Sequence, residues 1–269
     1  MTPDTQDRDF PWWLVAAIAI ALWIGWQIAA DELYSQIFDV VVRGVRITAF
    51  VTVTAFALAA TVGLLLAVMS LSKSLILRQI ARFYIEIVRG IPMLVLLFYI
   101  AFVGAPLLVP VVNGVIEPLG FDPIQTRDIS LMWRAILALT IGYSAFIAEV
   151  FRAGLQSVDP GQVEAAKALG LSGWQRFRLI VFPQALRTIL PPLGNDFIAL
   201  IKDSALVSVL GVTDVTQLGK IYASGSFRYM ETYNIVAVIY LLITVGLSLA
   251  LRAFERRLRR KRAVREDPR

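Results

Sequence analysis

Long apolar runs separated by short polar stretches dominate this chain, and they predict helices that cross a membrane. Windows of ~20 residues nearly free of charge match what a helix needs to traverse a ~30 Å hydrocarbon core. Such runs occupy 11–30, 45–71, 85–109, 131–151, 191–212 and 235–251. They are rich in Ala and Gly and show no strict alternation, which favours helices over a β-barrel. The expected fold class is therefore all-α, a polytopic membrane helical bundle of about six transmembrane helices. The first run opens with Trp12 and Trp13 and carries Trp23 and Trp26 near its far end, as interfacial aromatics would. Its acidic leader and poor cleavage site favour a retained helix over a signal peptide. Residues 31–44 are half polar and are expected along the surface.

Composition agrees. Apolar residues make up 58% of the chain and charged residues 17%, more apolar surface than one or two soluble cores could hide. The net charge of +6 does not point to nucleic acid, because much of it sits in Arg256-Arg257-Leu258-Arg259-Arg260-Lys261-Arg262, directly after the last apolar run. Basic residues beside a span are an orientation signal. With both termini cytoplasmic, the 71–90 and 152–190 stretches and the tail carry most of the Lys and Arg, among them Lys73, Arg78, Arg82, Lys167 and Arg187. There is no Cys and no His, so disulfides, thiol chemistry and zinc or haem sites on those ligands are absent, and no metal site is expected.

The loop between the fourth and fifth runs has its own helix punctuation. Asp159-Pro160-Gly161-Gln162 sets a capping Asp before Pro at the first helical position, with Gln three residues after the cap. A helix over 162–169 stops at Gly170, and Ser172 to Gln175 repeats the cap spacing to start a second helix ending near Pro183. Val163, Ala166 and Leu169 are expected on one face of the first; Trp174, Phe177 and Val181 form an apolar stripe on the second. A small Ala-rich surface with a charged rim suits insertion into a groove on another protein. The rival is a loop packed on its own bundle.

The stretch Glu164-Ala165-Ala166, with Gly170, Ile180 and Pro183 at the family spacing, resembles the EAA loop of ABC-importer permeases. Phe182 stands where Leu is usual. Glu86-Ile87-Val88-Arg89-Gly90-Ile91-Pro92, Ala148-Glu149-Val150-Phe151-Arg152-Ala153-Gly154, Pro183-Gln184-Ala185-Leu186-Arg187 and Leu190-Pro191-Pro192-Leu193-Gly194-Asn195 through Lys202-Asp203-Ser204 resemble polar amino acid importers. The likeness covers roughly 40–256. It implies a cytoplasmic helix–Gly–helix coupling loop at 157–183, with Glu164, Ala165, Ala166, Gly170, Trp174 and Pro183 meeting an ABC ATPase subunit. It further implies ATP and Mg on that partner rather than a cofactor here, a second permease subunit (identical or homologous), an extracytoplasmic solute-binding protein, an amino-acid substrate and a bacterial inner membrane. The expected organisation is a tail and additional helix (1–36), the transmembrane domain (37–256) and a basic cytoplasmic tail (257–269).

Charges inside apolar runs need a reason, since each costs at least ~2.5–3.5 kcal/mol at mid-bilayer. Asn195 and Lys202 are seven apart, as are Asp196 and Asp203, so each pair shares a helical face. With Ser204 they make a polar stripe that could receive a zwitterion, Lys202 meeting a carboxylate and an Asp an ammonium. Internal pairing within the stripe is the other reading. Glu86 with Arg89, and Glu149 with Arg152, are three apart and are expected as structural or gating ion pairs. No G-x-x-x-x-G-K-[ST] loop is present, so ATP hydrolysis would fall to a partner. The rivals are an ATP-independent transporter or channel, for which no internal repeat speaks, an intramembrane enzyme, disfavoured without His or Cys, and a scaffold subunit that carries no substrate.

Overall fold

The computed structural model describes residues 12–266, with side chains described for 12–256. The acidic N-terminal stretch, Pro11 and the side chains of the tail after Arg256 lie outside the described residues. Described residues form helices and turns: α1 (Trp12–Ala30), α2 (Glu32–Val41), α3 (Gly44–Ser70), α4 (Leu75–Gly90), α5 (Met93–Tyr99), α6 (Ala105–Ile116), α7 (Leu131–Gln156), α8 (Pro160–Ala168), α9 (Gly173–Arg176), α10 (Phe182–Asp203), α11 (Val215–Ser226) and α12 (Tyr229–Glu266). A π turn at Ile100–Gly104 joins α5 to α6.

Among the described residues, five helical segments are long and apolar enough to cross a membrane: Trp12–Ala30, Glu32–Ser70, Met93–Leu119, Leu131–Gln156 and Tyr229–Arg256. Two differences from the sequence expectation have clear causes. The third span begins at Met93, not Ile85, because Pro92 forces Ile91 into an extended conformation (φ −96°, ψ 129°) and ends α4 at Gly90. The run 191–212 is not among the five, since its Asn, Lys and Asp residues lower its hydropathy; it is the second half of α10 followed by a 3-10 turn, Ser204–Leu210. The domain boundary expected at 36/37 falls inside α2, whose Tyr34, Ile37 and Val41 pack with Ile24, Val215 and Ile235 in one cluster.

The centre of the bundle is the pairing of α3 with α7. On α3 the buried positions Val51, Ala55, Ala59, Gly63 and Ala67 recur every four residues, giving a stripe of mostly small residues. On α7 Ala135, Ala138, Leu139 and Ile147 share the cluster of Val51, Ala55 and Ala59, while Gly142 and Ala145 receive α5 and α4. Where lipid surrounds a protein, helix association relies on such close packing. Helices α3 and α7 come close at Gly63, where an added Cβ would lie 2.9 Å from Ile147 and 3.0 Å from the Ser144 carbonyl oxygen. Neither backbone can retreat cheaply, so a larger residue there costs ~1–3 kcal/mol. Against this pair α10 packs on one side and α4 on the other.

A buried polar joint ties the remaining helices together. Asp214 is 0% exposed and caps α11, accepting from the Gln217 amide (2.8 Å), while its other oxygen accepts from the Tyr240 hydroxyl of α12 (3.2 Å). Burial outweighs these hydrogen bonds and pushes the carboxyl from 3.8 up to about 6. Across that window the folded protein binds a proton that the unfolded chain releases, so this residue's contribution to stability falls as pH rises, and the loss is complete above about 6. The full swing is of order 3 kcal/mol, taking ~1.4 kcal/mol per pH unit. Asn is an equally good cap. Asp214→Asn is therefore expected to flatten the pH dependence of the unfolding midpoint in detergent and to stabilise the protein at neutral pH. A variant with the wild-type profile would remove Asp214 from that role.

Candidate functional site

Three polar regions follow one another along the bundle, and the hairpin between α7 and α10 is the outermost. Asp159 caps α8 by accepting from the Gly161 amide (2.7 Å), with Pro160 at the first helical position. Gln162 does not complete the expected capping box. Its side-chain oxygen instead accepts from Gln184 on α10 (2.6 Å), pinning the hairpin to the rod below. Gly170 takes the left-handed conformation (φ +77°), which a Cβ would oppose. Ser172 and Gln175 form the expected capping box, each satisfying the other's backbone N–H (2.8 and 3.3 Å).

Val163 packs against Val158, Ala185 and Ile189 and Ala166 is buried, as expected of an inward face, but Leu169 does not join them and is 82% exposed. By Leu169 the helix is already turning into the Gly170 stop, which swings that side chain outward. Glu164, Ala165 and Lys167 are exposed on the outer surface. Trp174 is 67% exposed and stacks on Phe177 (5.8 Å), which in turn meets Phe182 (5.8 Å). The hairpin thus presents small and charged residues beside an aromatic ladder.

The second hairpin helix does not end near Pro183. It passes from α9 through a π turn at Phe177–Val181 straight into α10. The wider π turn lets Pro183 enter without the N–H that a regular helix would use. Trp174 and Asp203 consequently lie on one continuous helical rod, roughly 45 Å long at 1.5 Å per residue.

At the hairpin end of the bundle, α3, α4 and α7 enclose an open cleft of ≈ 410 Å³ lined by Ser70, Arg82, Ile85, Glu86, Arg89, Glu149, Arg152 and Gln156. Glu149 and Arg152 form the expected ion pair at 2.6 Å, and Arg152 also donates to Gln156 (2.8 Å). Glu86 and Arg89 do not pair. Both lie on α4, short of the Pro92 break, and the Arg89 guanidinium sits over the Phe146 ring of α7 instead (5.5 Å). Arg82 and Glu86 hold no ion pair or hydrogen bond, so the cleft offers free charges of both signs. Arg82 and Gln156 were not singled out by motif, although each lies four residues from a residue that was.

Deeper in the bundle is the α10 stripe. Asp203 is half-buried and accepts from the Tyr143 hydroxyl of α7 (2.8 Å). Asp196, two turns earlier on the same face, is also half-buried; its Oδ2 is shielded from solvent and has no hydrogen-bond partner. Lys202 and Asn195 are exposed on the neighbouring face and form no ion pair or hydrogen bond, so the stripe does not neutralise itself. Ser204 is fully buried and donates its hydroxyl proton to the Ile201 carbonyl (2.7 Å), out of reach of the exposed stripe. Tyr143 is the partner that sequence reading missed. Its only signal was a phenol in the middle of an apolar run.

A buried carboxylate oxygen lacking a donor is expensive. With a second carboxylate, held by a phenol, two turns along the same face, the stripe offers two successive acceptors for a cation or an N–H group.

Comparison with known proteins bears on these regions. Residues 59–260 match the family model described as binding-protein-dependent transport system inner membrane component. The chain is 36% identical over 225 residues to the probable amino-acid permease protein YxeN of Bacillus subtilis (strain 168), covering 84% of this chain and 94% of the relative. It is 34% identical over 218 residues to the glutamine transport system permease protein GlnP of Escherichia coli (strain K12), covering 81% and 92%. Among solved structures, an amino acid ABC transporter with histidines superposes at a TM-score of 0.69 with 37% identity, covering 86% of this chain and 98% of that one.

Proposed function

Because the chain belongs to the family of binding-protein-dependent transport system inner membrane components, we propose that Asp196 and Asp203 meet the ammonium of an amino acid as it crosses. The chain is a membrane permease subunit of an amino-acid ABC importer, a transport component of a multi-pass kind. The observation that carries the substrate assignment is the partnerless Asp196 Oδ2, two turns from a carboxylate already oriented by Tyr143. The two lie ~10 Å apart along α10 at 1.5 Å per residue, so an ammonium donates charge-assisted hydrogen bonds to one carboxylate and then to the other as it crosses. Lys202, exposed on the neighbouring face, meets the substrate carboxylate on approach.

The partners follow from the same reading. ATPase subunits carrying ATP and Mg dock on the exposed surface of Glu164, Ala165 and Trp174, with Gly170 fixing the bend between the two hairpin helices. Two permease subunits, identical or homologous, enclose the path, and an external solute-binding protein delivers the amino acid. The chain sits in a bacterial inner membrane with both termini and the hairpin cytoplasmic. The continuous rod from Trp174 to Asp203 then gives a direct mechanical link, since displacement of the hairpin moves the carboxylates with it. Rocking of packed helices around a fixed site is how such permeases alternate access. The cleft around Arg82 and Glu86 lies on the cytoplasmic side of the stripe, where Glu149–Arg152 serves as a gating pair.

The test is to purify the tagged chain in mild detergent and identify every bound protein by mass. Co-purification of a subunit with a phosphate-binding loop is expected. A chain that purifies alone yet conducts amino acids in vesicles without ATP would overturn the reading in favour of an ATP-independent transporter.

A further inference from the structure

The first helix, which the transport reading does not use, meets α12 at its two ends and parts from it in the middle. At one end Arg252 lies over the Trp13 ring (5.6 Å). Farther along, Ile24 is buried in the cluster that holds Ile235 and Ile239. Between these contacts runs a groove of ≈ 490 Å³, walled by Leu14, Ala17 and Ala21 on one side and by Val245, Gly246 and Leu249 on the other. Its size falls within the ~300–1,000 Å³ usual for a small-molecule site.

We propose that this groove holds an acyl chain of an anionic phospholipid whose phosphate is bound by Arg252. Three features support it. Both walls belong to helices apolar enough to span a bilayer, so the medium at the groove is hydrocarbon, and water is not its occupant. From Leu14 to Leu22 the groove follows α1 for ~12 Å, about the depth of one leaflet in a ~30 Å core. The space is also a true gap, because a Cβ built on Gly246 would find nothing within 4 Å, so this glycine is not there to allow close helix contact.

The end of the groove supplies the headgroup chemistry. Leu249 and Leu14 are its last apolar residues, and Arg252 follows one turn beyond Leu249 while Trp13 immediately precedes Leu14. Stacking on the indole fixes the guanidinium face and leaves its in-plane N–H groups, which carry no ion pair or hydrogen bond, to take a phosphate. Arg256 lies one turn farther along, and the sequence continues Arg257-Leu258-Arg259-Arg260. That charge favours an anionic over a zwitterionic headgroup.

The experiment is native mass spectrometry of the full chain in detergent, offered dioleoylphosphatidylglycerol or dioleoylphosphatidylcholine at equal concentration. The wild type is expected to retain one phosphatidylglycerol with about a fivefold preference over phosphatidylcholine. Gly246→Leu fills the gap without displacing a neighbour and should reduce retention severalfold. Arg252→Gln should keep a lipid but lose the preference. Equal retention of the two lipids by the wild type would overturn the proposal, as would undiminished retention by Gly246→Leu. So would a lipid-free dimer that Gly246→Leu dissociates, since a second copy of α1 would then be the occupant. None of these readouts depends on transport, so the lipid site stands or falls apart from the importer assignment.

Discussion

Glu164→Arg is expected to release the ATPase from the purified complex and to lower ATP-driven uptake by at least about tenfold, the effect of ~1.4 kcal/mol lost at one interface. Glu164 is exposed on the outer surface of α8 and makes no hydrogen bond or ion pair within the chain. Reversing its charge therefore costs the isolated permease little, within about 0.5 kcal/mol for a surface position of this kind. The damage falls on whatever surface the hairpin meets, where a like charge at a desolvated contact is costly. Ala165→Arg should reproduce the loss by bulk rather than charge, since Ala165 is exposed beside it. The measurements are the ATPase-to-permease ratio after purification and uptake into proteoliposomes. If both variants keep a stoichiometric, fully coupled ATPase, the hairpin is not the docking surface.

The spans were legible because lipid leaves few choices. A charge-free run of ~20 residues has one stable arrangement there, and its backbone must bond to itself. Reading failed where an apolar run passed through a turn. Ile85 to Pro92 looks like the start of a span, yet Pro92 divides an amphipathic α4 from the membrane helix beginning at Met93. The opposite error occurred at Pro183, where proline suggested a stop and a π turn carried the helix through. The small-residue stripe from Ala55 to Ala67 could have been read in advance, since its period of four is written in the sequence.

The site was legible in its residue types but not in its partners. Seven-residue spacing put Asp196 and Asp203 on one face, and the structure keeps them there. That Asp203 is held by Tyr143, sixty positions away, follows only from how α7 packs on α10. Spacing alone also suggested a Glu86–Arg89 pair, because i,i+3 proximity permits contact without requiring it. The Phe146 ring offered Arg89 another partner, which no local rule could reveal.

That difference between the two carboxylates leads to the second large effect. Asp196→Ala is expected to lower uptake by roughly ten- to a hundredfold, the range of ~1.5–3 kcal/mol for a hydrogen bond to a charged group. The same substitution should leave thermal stability unchanged or raised, because Asp196 Oδ2 has no partner to lose. Asp203→Ala should behave differently. It removes the acceptor of the Tyr143 hydroxyl and leaves that group unsatisfied, so uptake and stability fall together. Tyr143→Phe, which frees the Asp203 carboxylate but retains its charge, should reduce uptake less than Asp203→Ala. The measurements are substrate-stimulated uptake and the unfolding midpoint of each variant in the same detergent, with bound ATPase checked to exclude loss of docking. Full uptake by Asp196→Ala would remove that residue from the path. An Asp196→Ala protein that lost stability in proportion to uptake would mark the carboxylate as structural, because a residue spent on its own bundle cannot be removed without weakening it.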